Sequence, residues 1–158
     1  MKKLIIGNVL YWFMIQMIIS TLGTFVTNAF LERHLKYFRI WPIEQNGALW
    51  QKYFKVKRWK RYLPDGQRIN PNIYSKSKFD KSITSEALHQ FIIETRRAEL
   101  VHILSIVPVV IFLRATKMIK VINVIYVLLA NVPCMIAQRY NRPKLERYYL
   151  AKVNRKGD

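Results

Sequence analysis

The sequence predicts an all-α integral membrane protein with about three transmembrane helices and a basic, aromatic-rich interfacial segment between the first and second of them. Long apolar stretches hold most of the 51% of residues that are hydrophobic, and these stretches carry little charge. Most of the 27 lysines and arginines lie between or after them. A soluble domain would place its apolar residues in short periodic runs. We expect residues 1–158 to form a single membrane domain.

The first apolar stretch covers residues 4–31 and contains no Asp, Glu, Lys or Arg. About 20 such residues are enough to cross a bilayer as a helix. The preceding Met1, Lys2 and Lys3 resemble the start of a secretory signal peptide, but the run is longer than a signal peptide needs. We therefore expect a retained helix rather than a cleaved leader.

The second and third apolar stretches cover residues 98–113 and 119–137 and are separated by only a few residues. This spacing predicts a tight hairpin of two antiparallel helices. Pro108 and Pro133 lie inside these stretches and should kink the helices without ending them. The polar residues from Thr84 onward have helical propensity, so we expect one long helix that continues into the second stretch.

The distribution of basic residues predicts the orientation. Residues 32–97 and the basic tail 138–158 hold 22 of the 27 lysines and arginines, and with three spans they share one side of the membrane. The positive-inside rule places that side in the cytoplasm. The expected location is a cell membrane, with the chain crossing it several times and the N-terminus facing outward.

The segment 32–97 interleaves aromatic and basic side chains, most densely between Trp50 and Tyr62. Aromatic rings prefer the head-group layer, and cations are attracted to anionic lipids. A net charge of +18 calls for an anionic partner. Nucleic-acid binding uses the same residue types, but a chain held in the bilayer makes membrane lipid the expected partner and nucleic acid an unexpected one.

The residues that carry chemistry are few. The chain has no glycine loop for phosphate and no G-x-S-x-G motif, and Cys134 is its one cysteine, so we expect neither a metal site nor a cofactor. Glu99 and His102 are three residues apart and share one helix face. A histidine in an apolar helix is costly unless it is paired or functional. The pair could act as a general base, with Glu99 orienting the ring; a purely structural His102 is equally open. Glu94 is a further candidate.

Basic and polar residues mark the cytoplasmic ends of both hairpin helices: Arg96 and Arg97 on the second, and Arg139, Asn141 and Arg142 on the third. The hairpin brings these ends together, and guanidinium groups suit bidentate binding of phosphate or carboxylate. The alternative is ordinary snorkelling of cations toward the interface.

Several segments together resemble a known family. They are found in the same order from about Tyr11 to Arg142: YWFMIQ, FKVKRWKRYLPDG, NPNIY, IIETRRAELVH, IVPVVIF, ANVP and QRYNRP. On these segments the chain is similar to the glycosyl-4,4′-diaponeurosporenoate acyltransferase family of small bacterial membrane proteins. The resemblance implies the last step of staphyloxanthin-type carotenoid synthesis, in which a fatty acyl chain esterifies the C6 hydroxyl of a carotenoid-linked glucose.

The resemblance also implies the partners and a set of candidate site residues. The partners are a glycosylated carotenoid or other glycolipid acceptor, and a fatty acyl donor that is either a coenzyme A thioester or an acyl carrier protein. The motif residues found here are Asn70, Asn72, Tyr74, Glu94, Arg96, Arg97, Glu99, His102, Arg139, Asn141 and Arg142. By composition alone, Asn70, Asn72 and Tyr74 belong to a turn-rich loop.

The leading hypothesis is an O-acyltransferase in which His102 is the base and the arginines hold the donor phosphate or the oxyanion. The alternative is a non-catalytic membrane scaffold or a lipid-binding adaptor, which would need no convergent polar cluster.

Overall fold

The computed structural model describes residues 2–63 and 83–155, with side chains from Ile5 onward. This part of the chain is helical throughout, as expected, and its elements follow in chain order. The α-helices are α1 Lys2–Thr24, α2 Asn28–Arg33, α3 Leu35–Phe38, α4 Ala48–Phe54, α5 Val56–Trp59, α6 Ser85–Ile106 and α7 Lys117–Asn154. The 3₁₀ segments are Pro42–Gly47, Lys60–Tyr62 and Val107–Arg114.

The first apolar stretch is divided between two helices. α1 ends at Thr24, before the limit at Leu31 that hydropathy suggested. Thr27 accepts a hydrogen bond from the Phe30 amide at 3.2 Å and so starts α2. Thr27 therefore marks the start of a new helix. Hydropathy does not show this start, because the apolar run continues across it.

α6 combines a polar beginning with an apolar end in one helix, as the sequence predicted. Thr84 caps it by accepting from the Ala87 amide at 3.2 Å. Beyond Ile106 the chain tightens into the 3₁₀ segment Val107–Arg114, which contains Pro108 near its start. Proline has no amide hydrogen for the α-helical ladder, which accounts for the change of helix type at this point.

α7 is much longer than the expected third helix. It runs for 38 residues with Pro133 and Pro143 inside it, so most of the predicted basic tail continues the helix. At 1.5 Å per residue it is about 57 Å long, well beyond the ~30 Å hydrocarbon core of a bilayer. Its apolar first half and basic second half therefore form one element.

Two helices are long and apolar enough, by length and composition, to cross a membrane: α1 over Ile5–Thr24, and α7. The expected second span, residues 98–113, does not meet this standard, because its apolar residues are divided between α6, which ends at Ile106, and the 3₁₀ segment. The expectation that Pro108 would not end the helix is therefore wrong. Large apolar side chains point outward along these elements, including Phe13 on α1 and Leu129 on α7.

α6 and α7 form the predicted antiparallel hairpin, and α1 packs beside it. Trp12, which is 1% exposed, donates to the Asn123 carboxamide oxygen at 2.6 Å and joins α1 to α7. The Tyr11 hydroxyl donates to the Pro108 carbonyl at 3.1 Å and joins α1 to the end of the hairpin.

The short helices α2–α5 gather around the other end of the hairpin, where two apolar clusters hold them and a third joins α6 to α7. The clusters are Leu31, Phe38 and Ile93; Val56, Ile136 and Tyr140; and Leu88, Ile92 and Leu145. The described part of the segment between α1 and α6, residues 25–63, thus packs against α6 and the basic half of α7, at the end of the bundle where the polar side chains meet.

We predict that Gly23→Ala destabilises the fold whereas Gly7→Ala does not. A Cβ at Gly23 would lie 2.2 Å from Cγ2 of Val101, a stiff β-branched side chain, and a Cβ at Gly7 would meet nothing within 4 Å. Overpacking of this kind costs about 1–3 kcal/mol. Thermal unfolding of both variants in detergent tests this. Equal melting temperatures would contradict the close α1–α6 contact, and Val101→Ala should restore the stability that Gly23→Ala loses.

Candidate active site

Arg142 lies at the centre of the polar cluster and is 0% exposed. Its Nε donates to the Thr95 hydroxyl at 2.9 Å, and its Nη1 donates to the Phe38 carbonyl at 2.9 Å. Its Nη2 reaches the Thr95 carbonyl at 3.1 Å and the Glu99 carboxylate at 2.5 Å. A single guanidinium therefore ties α7 to α6 and to the end of α3.

Glu99 is equally buried and divides its two carboxylate oxygens between two arginines. Oε2 accepts from Arg142 and Oε1 accepts from Arg139 Nη1 at 2.6 Å. The carboxylate is 3% exposed. The residues Arg139, Arg142 and Glu99 were all expected at the site, and the hairpin does bring them together.

Glu44 is the second acid of the cluster. It accepts from Arg139 through both oxygens, with the Arg139 Nε contact at 3.0 Å. The Trp41 amide donates to it at 2.9 Å and the Trp50 indole at 2.7 Å. Burial raises the pKa of Glu44, but the hydrogen bonds from Arg139, Trp41 and Trp50 outweigh this effect and hold the pKa below its ordinary value.

The 3₁₀ segment that carries Glu44 ends in a run of left-handed backbone at Gln45, Asn46 and Gly47. Gly47 has φ +91°, and a Cβ there would lie 3.0 Å from the Tyr140 carbonyl oxygen. Glycine is the residue that tolerates both conditions. This tight turn sets Glu44 against α7 beside Arg139.

The cluster of Glu44, Glu99, Arg139 and Arg142 contains two acids and two arginines, and its formal charge is zero. Each guanidinium already donates to at least one carboxylate and to a backbone carbonyl. Buried ions are stable when they are paired in this way. The cluster fixes helices relative to each other and presents no unpaired cation.

His102 forms a separate polar contact one turn farther along α6. Its Nδ1 lies 2.9 Å from the Asn131 Oδ1 of α7. The Asn131 Nδ2 donates to the Val127 carbonyl at 2.9 Å, which fixes the orientation of the carboxamide. Oδ1 can only accept, so Nδ1 carries a proton, and in the neutral ring Nε2 holds the lone pair. His102 is half-buried, and its Nε2 bonds to no residue in the described ranges.

The predicted Glu99–His102 pair is wrong. The two side chains do share one face of α6, but Arg139 and Arg142 occupy both oxygens of Glu99. Two buried cations attract the carboxylate more strongly than a neutral imidazole does. Asn131 takes the orienting position beside His102 instead.

The other expected residues form three further groups. Arg97 contacts Glu94 at 3.4 Å and Asn28 at 2.6 Å, and Glu94 also accepts from Gln90. Burial raises the pKa of Glu94, and the charge of Arg97 opposes this effect.

Arg96 pairs with Glu146 at 3.3 Å, and Asn141 accepts from Lys60 at 2.6 Å. The expected convergence of all the arginines on one concavity is therefore limited to Arg139 and Arg142. Asn70, Asn72 and Tyr74 lie outside the described residues.

Sequence reasoning missed Glu44, Asn131 and Thr95. The chain has only nine acids against 27 basic residues, so an acid within a basic segment is a natural arginine partner. That signal was available for Glu44. Asn131 lies in an apolar run, where an amide needs a partner. Thr95 carried no comparable signal.

The fold and the site define a basic, all-helical protein with two helices of membrane-spanning length and a half-buried histidine with a free ring nitrogen. The family model described as glycosyl-4,4′-diaponeurosporenoate acyltransferase matches residues 34–150. A protein of that name from Staphylococcus haemolyticus (strain JCSC1435) is 42% identical over 145 residues, which cover 92% of this chain and 84% of the relative. One from Staphylococcus aureus (strain Newman) is 39% identical over 149 residues, covering 94% and 89%. No solved structure matches the chain.

The chain belongs to the glycosyl-4,4′-diaponeurosporenoate acyltransferase family. It is an acyltransferase, and the resemblance drawn from its motifs is confirmed.

We predict that Arg142→Lys destabilises the protein by about 3 kcal/mol, because lysine keeps the charge but cannot reach Thr95, Phe38 and Glu99 together. Arg147→Lys, on an exposed face of the same helix, should change the stability by less than about 0.5 kcal/mol. Thermal or denaturant unfolding of the two variants in detergent provides the comparison. An Arg142→Lys protein as stable as the parent would show that the charge alone, and not the fork, holds the cluster.

Proposed function

We propose that the protein esterifies the C6 hydroxyl of the glucose of a glycosyl-4,4′-diaponeurosporenoate, or of a related glycolipid, with a fatty acyl chain. The names of the relatives support this acceptor and the acyl transfer. The observation that most supports a catalytic role is the hydrogen bond between His102 and Asn131. This bond leaves Nε2 of the half-buried His102 free to act as an acceptor.

In this proposal His102 is the general base. As the sugar oxygen attacks the acyl carbonyl, its proton passes to Nε2, and the new C–O bond forms. When the thioester C–S bond breaks, the proton passes from His102 to the leaving thiolate. Asn131 holds the ring and its tautomer through both steps, since its own amide is fixed by the Val127 carbonyl.

Arg139 and Arg142 act in the proposal as positioning residues. They hold α7 against α6 through Glu99, and this packing sets the distance between Asn131 and His102. Their pairing with acids argues against direct binding of the donor phosphate. The remaining candidates rest on the resemblance alone. Glu94 is an alternative base, and a role in substrate binding is open to Arg96, Arg97, Asn141, Asn70, Asn72 and Tyr74.

We further propose that α1 and α7 cross the bacterial cell membrane, with the end of α6 and its 3₁₀ continuation packed beside them as a third crossing. The outward apolar side chains support this: Phe13 of α1, Ile111 of the 3₁₀ segment and Leu129 of α7 are each more than half exposed. A lipid surround removes the cost of exposing them. His102 then lies within reach of acceptor and donor chains dissolved in the bilayer.

We predict that His102→Gln lowers the turnover by about 100- to 10,000-fold, the usual contribution of acid–base assistance. Glutamine retains hydrogen bonding but cannot accept the proton. The matched control is His89→Gln, since His89 lies more than three turns before His102 on α6 and, among the described residues, contacts Glu32 and Tyr149. Purified variants in detergent are given glycosyl-4,4′-diaponeurosporenoate and palmitoyl coenzyme A, or palmitoyl acyl carrier protein, and the acylated product is quantified by chromatography.

Near-full turnover by His102→Gln would make His102 structural and move the search for the base to Glu94 or Glu99. A parent protein that acylates other glycolipids but leaves the carotenoid glycoside unchanged would overturn the proposed acceptor and leave the base assignment standing.

We predict that the central segment is cytoplasmic and the hairpin between α6 and α7 is external. In a Cys134→Ala background, single cysteines replace the exposed residues Lys52 and Lys117. A membrane-impermeant maleimide should label Lys117→Cys in spheroplasts, but Lys52→Cys only after lysis. Labelling of Lys52→Cys from outside would reverse the topology.

A further inference from the structure

Two lysines lie over one aromatic ring away from the candidate active site, and two further cations lie near one of them. Lys144 Nζ lies 3.3 Å from the centre of the Tyr140 ring, and Lys60 Nζ lies 5.0 Å from it. Lys57 and Arg147 are close enough to Lys144 to repel its charge. We call Lys57, Lys60, Lys144 and Arg147, together with Tyr140, the Tyr140 patch.

The charges of this patch differ from those of the buried arginines. Arg96, Arg97, Arg139 and Arg142 each contact a carboxylate. Within the ranges 2–63 and 83–155, by contrast, Lys57, Lys144 and Arg147 form no ion pair with an acid. Like charges held together without a counter-ion destabilise a surface unless an anion binds there. Lys57, Lys144 and Arg147 therefore have an unmet requirement for negative charge.

The position of the patch along α7 indicates where that anion comes from. Lys144 follows the end of the apolar run at Ala137 by about 10 Å of helix. In the proposed membrane placement this is the level of the lipid phosphates, just outside the hydrocarbon core. Trp50 and Trp59 pack against the same side of α7, next to Tyr140. Tryptophan prefers this interfacial layer.

The patch faces away from His102. Tyr140 follows Asn131 by about two and a half helical turns, which places the two on opposite sides of α7. Packing agrees, since Asn131 contacts α6 while Tyr140 contacts Val56 of α5. A donor whose phosphate bound at the patch would have to pass around α7 to bring its acyl carbonyl to His102.

We propose that the Tyr140 patch binds the phosphate of an anionic membrane phospholipid, of the phosphatidylglycerol type, and so fixes α5 and α7 at the cytoplasmic surface. The lysines and Arg147 contact the phosphate oxygens. This inference rests on the proposed membrane placement and does not depend on the chemistry at His102.

The test measures binding of short-chain dihexanoyl-phosphatidylglycerol to the full-length protein in neutral detergent, by titration calorimetry and by the shift in melting temperature. Dihexanoyl-phosphatidylcholine is the zwitterionic comparison. The test variant carries Lys57→Gln, Lys144→Gln and Arg147→Gln. The control variant carries Arg33→Gln, Lys36→Gln and Lys52→Gln, which removes the same charge from exposed positions between α1 and α5.

The parent and the control variant should bind the phosphatidylglycerol in preference to the phosphatidylcholine. The test variant should bind the phosphatidylglycerol about a hundredfold more weakly than the parent does, because three cations near the phosphate are lost. Its melting temperature without lipid should be no lower than that of the parent, because the substitutions relieve repulsion between like charges. His102→Gln should bind the lipid normally, which separates this proposal from the catalytic one.

Two results would overturn the proposal. One is lipid binding by the test variant as tight as that of the parent. An equal loss of binding in the control variant would count in the same way, because the effect would then come from net charge alone. The other is displacement of the lipid by coenzyme A together with a raised KM for the acyl donor in the test variant, which would make the patch a donor site.

Discussion

The guanidinium of Arg142 is fully buried, and a buried charge is tolerated only when an opposite charge and well-placed acceptors surround it. Glu99 supplies the charge, while Thr95 and the Phe38 carbonyl supply the remaining acceptors. These partners come from α6 and from the end of α3. One side chain consequently helps to fix the register of α7 against α6, and removing Glu99 would leave an uncompensated ion. The neighbouring Arg139 extends the same constraint to Glu44 and the segment before α4.

This constraint divides the many cations of the chain into two populations. The chain has nine acids for 27 basic residues, so carboxylates are scarce. Several of these carboxylates pair with arginines between the helices. The lysines on the outer faces are left without such partners in much of the described structure, as at Lys57 and Lys144. Arginine suits the first setting because its planar fork satisfies several acceptors at once, and lysine suits the second because it is strongly hydrated and flexible. Among the described residues, the excess positive charge thus lies on the surface rather than in the site.

Much of the fold could be predicted from hydropathy and caps. The apolar runs located α1, the end of α6 and the first half of α7, and Thr84 marked a helix start. Hydropathy could not show that α7 continues through Pro143, because the packing of Leu145 and the pairing of Glu146 with Arg96 stabilise that half through contacts distant in sequence. The site was predicted less well for the same reason. Helical spacing shows which residues share a face, and Glu99 and His102 do, but it does not show which partner each will choose across the helix interface.

The choice of partner has a chemical consequence. With Glu99 held by two arginines, the residue that orients His102 is a neutral amide, and the ring faces no carboxylate among the described residues. A carboxylate beside the ring would favour the protonated imidazolium, in which Nε2 has no lone pair to offer. Asn131 accepts from Nδ1 without adding negative charge beside the ring, and in the neutral ring this hydrogen bond leaves the lone pair on Nε2. In the proposed mechanism the base is neutral before the reaction and cationic only during it, and a neutral orienting amide suits this role in an apolar setting, where a resting ion pair would carry its own desolvation cost. The arginines beside it contribute by keeping the acid away from the ring and by holding Asn131 within reach of it.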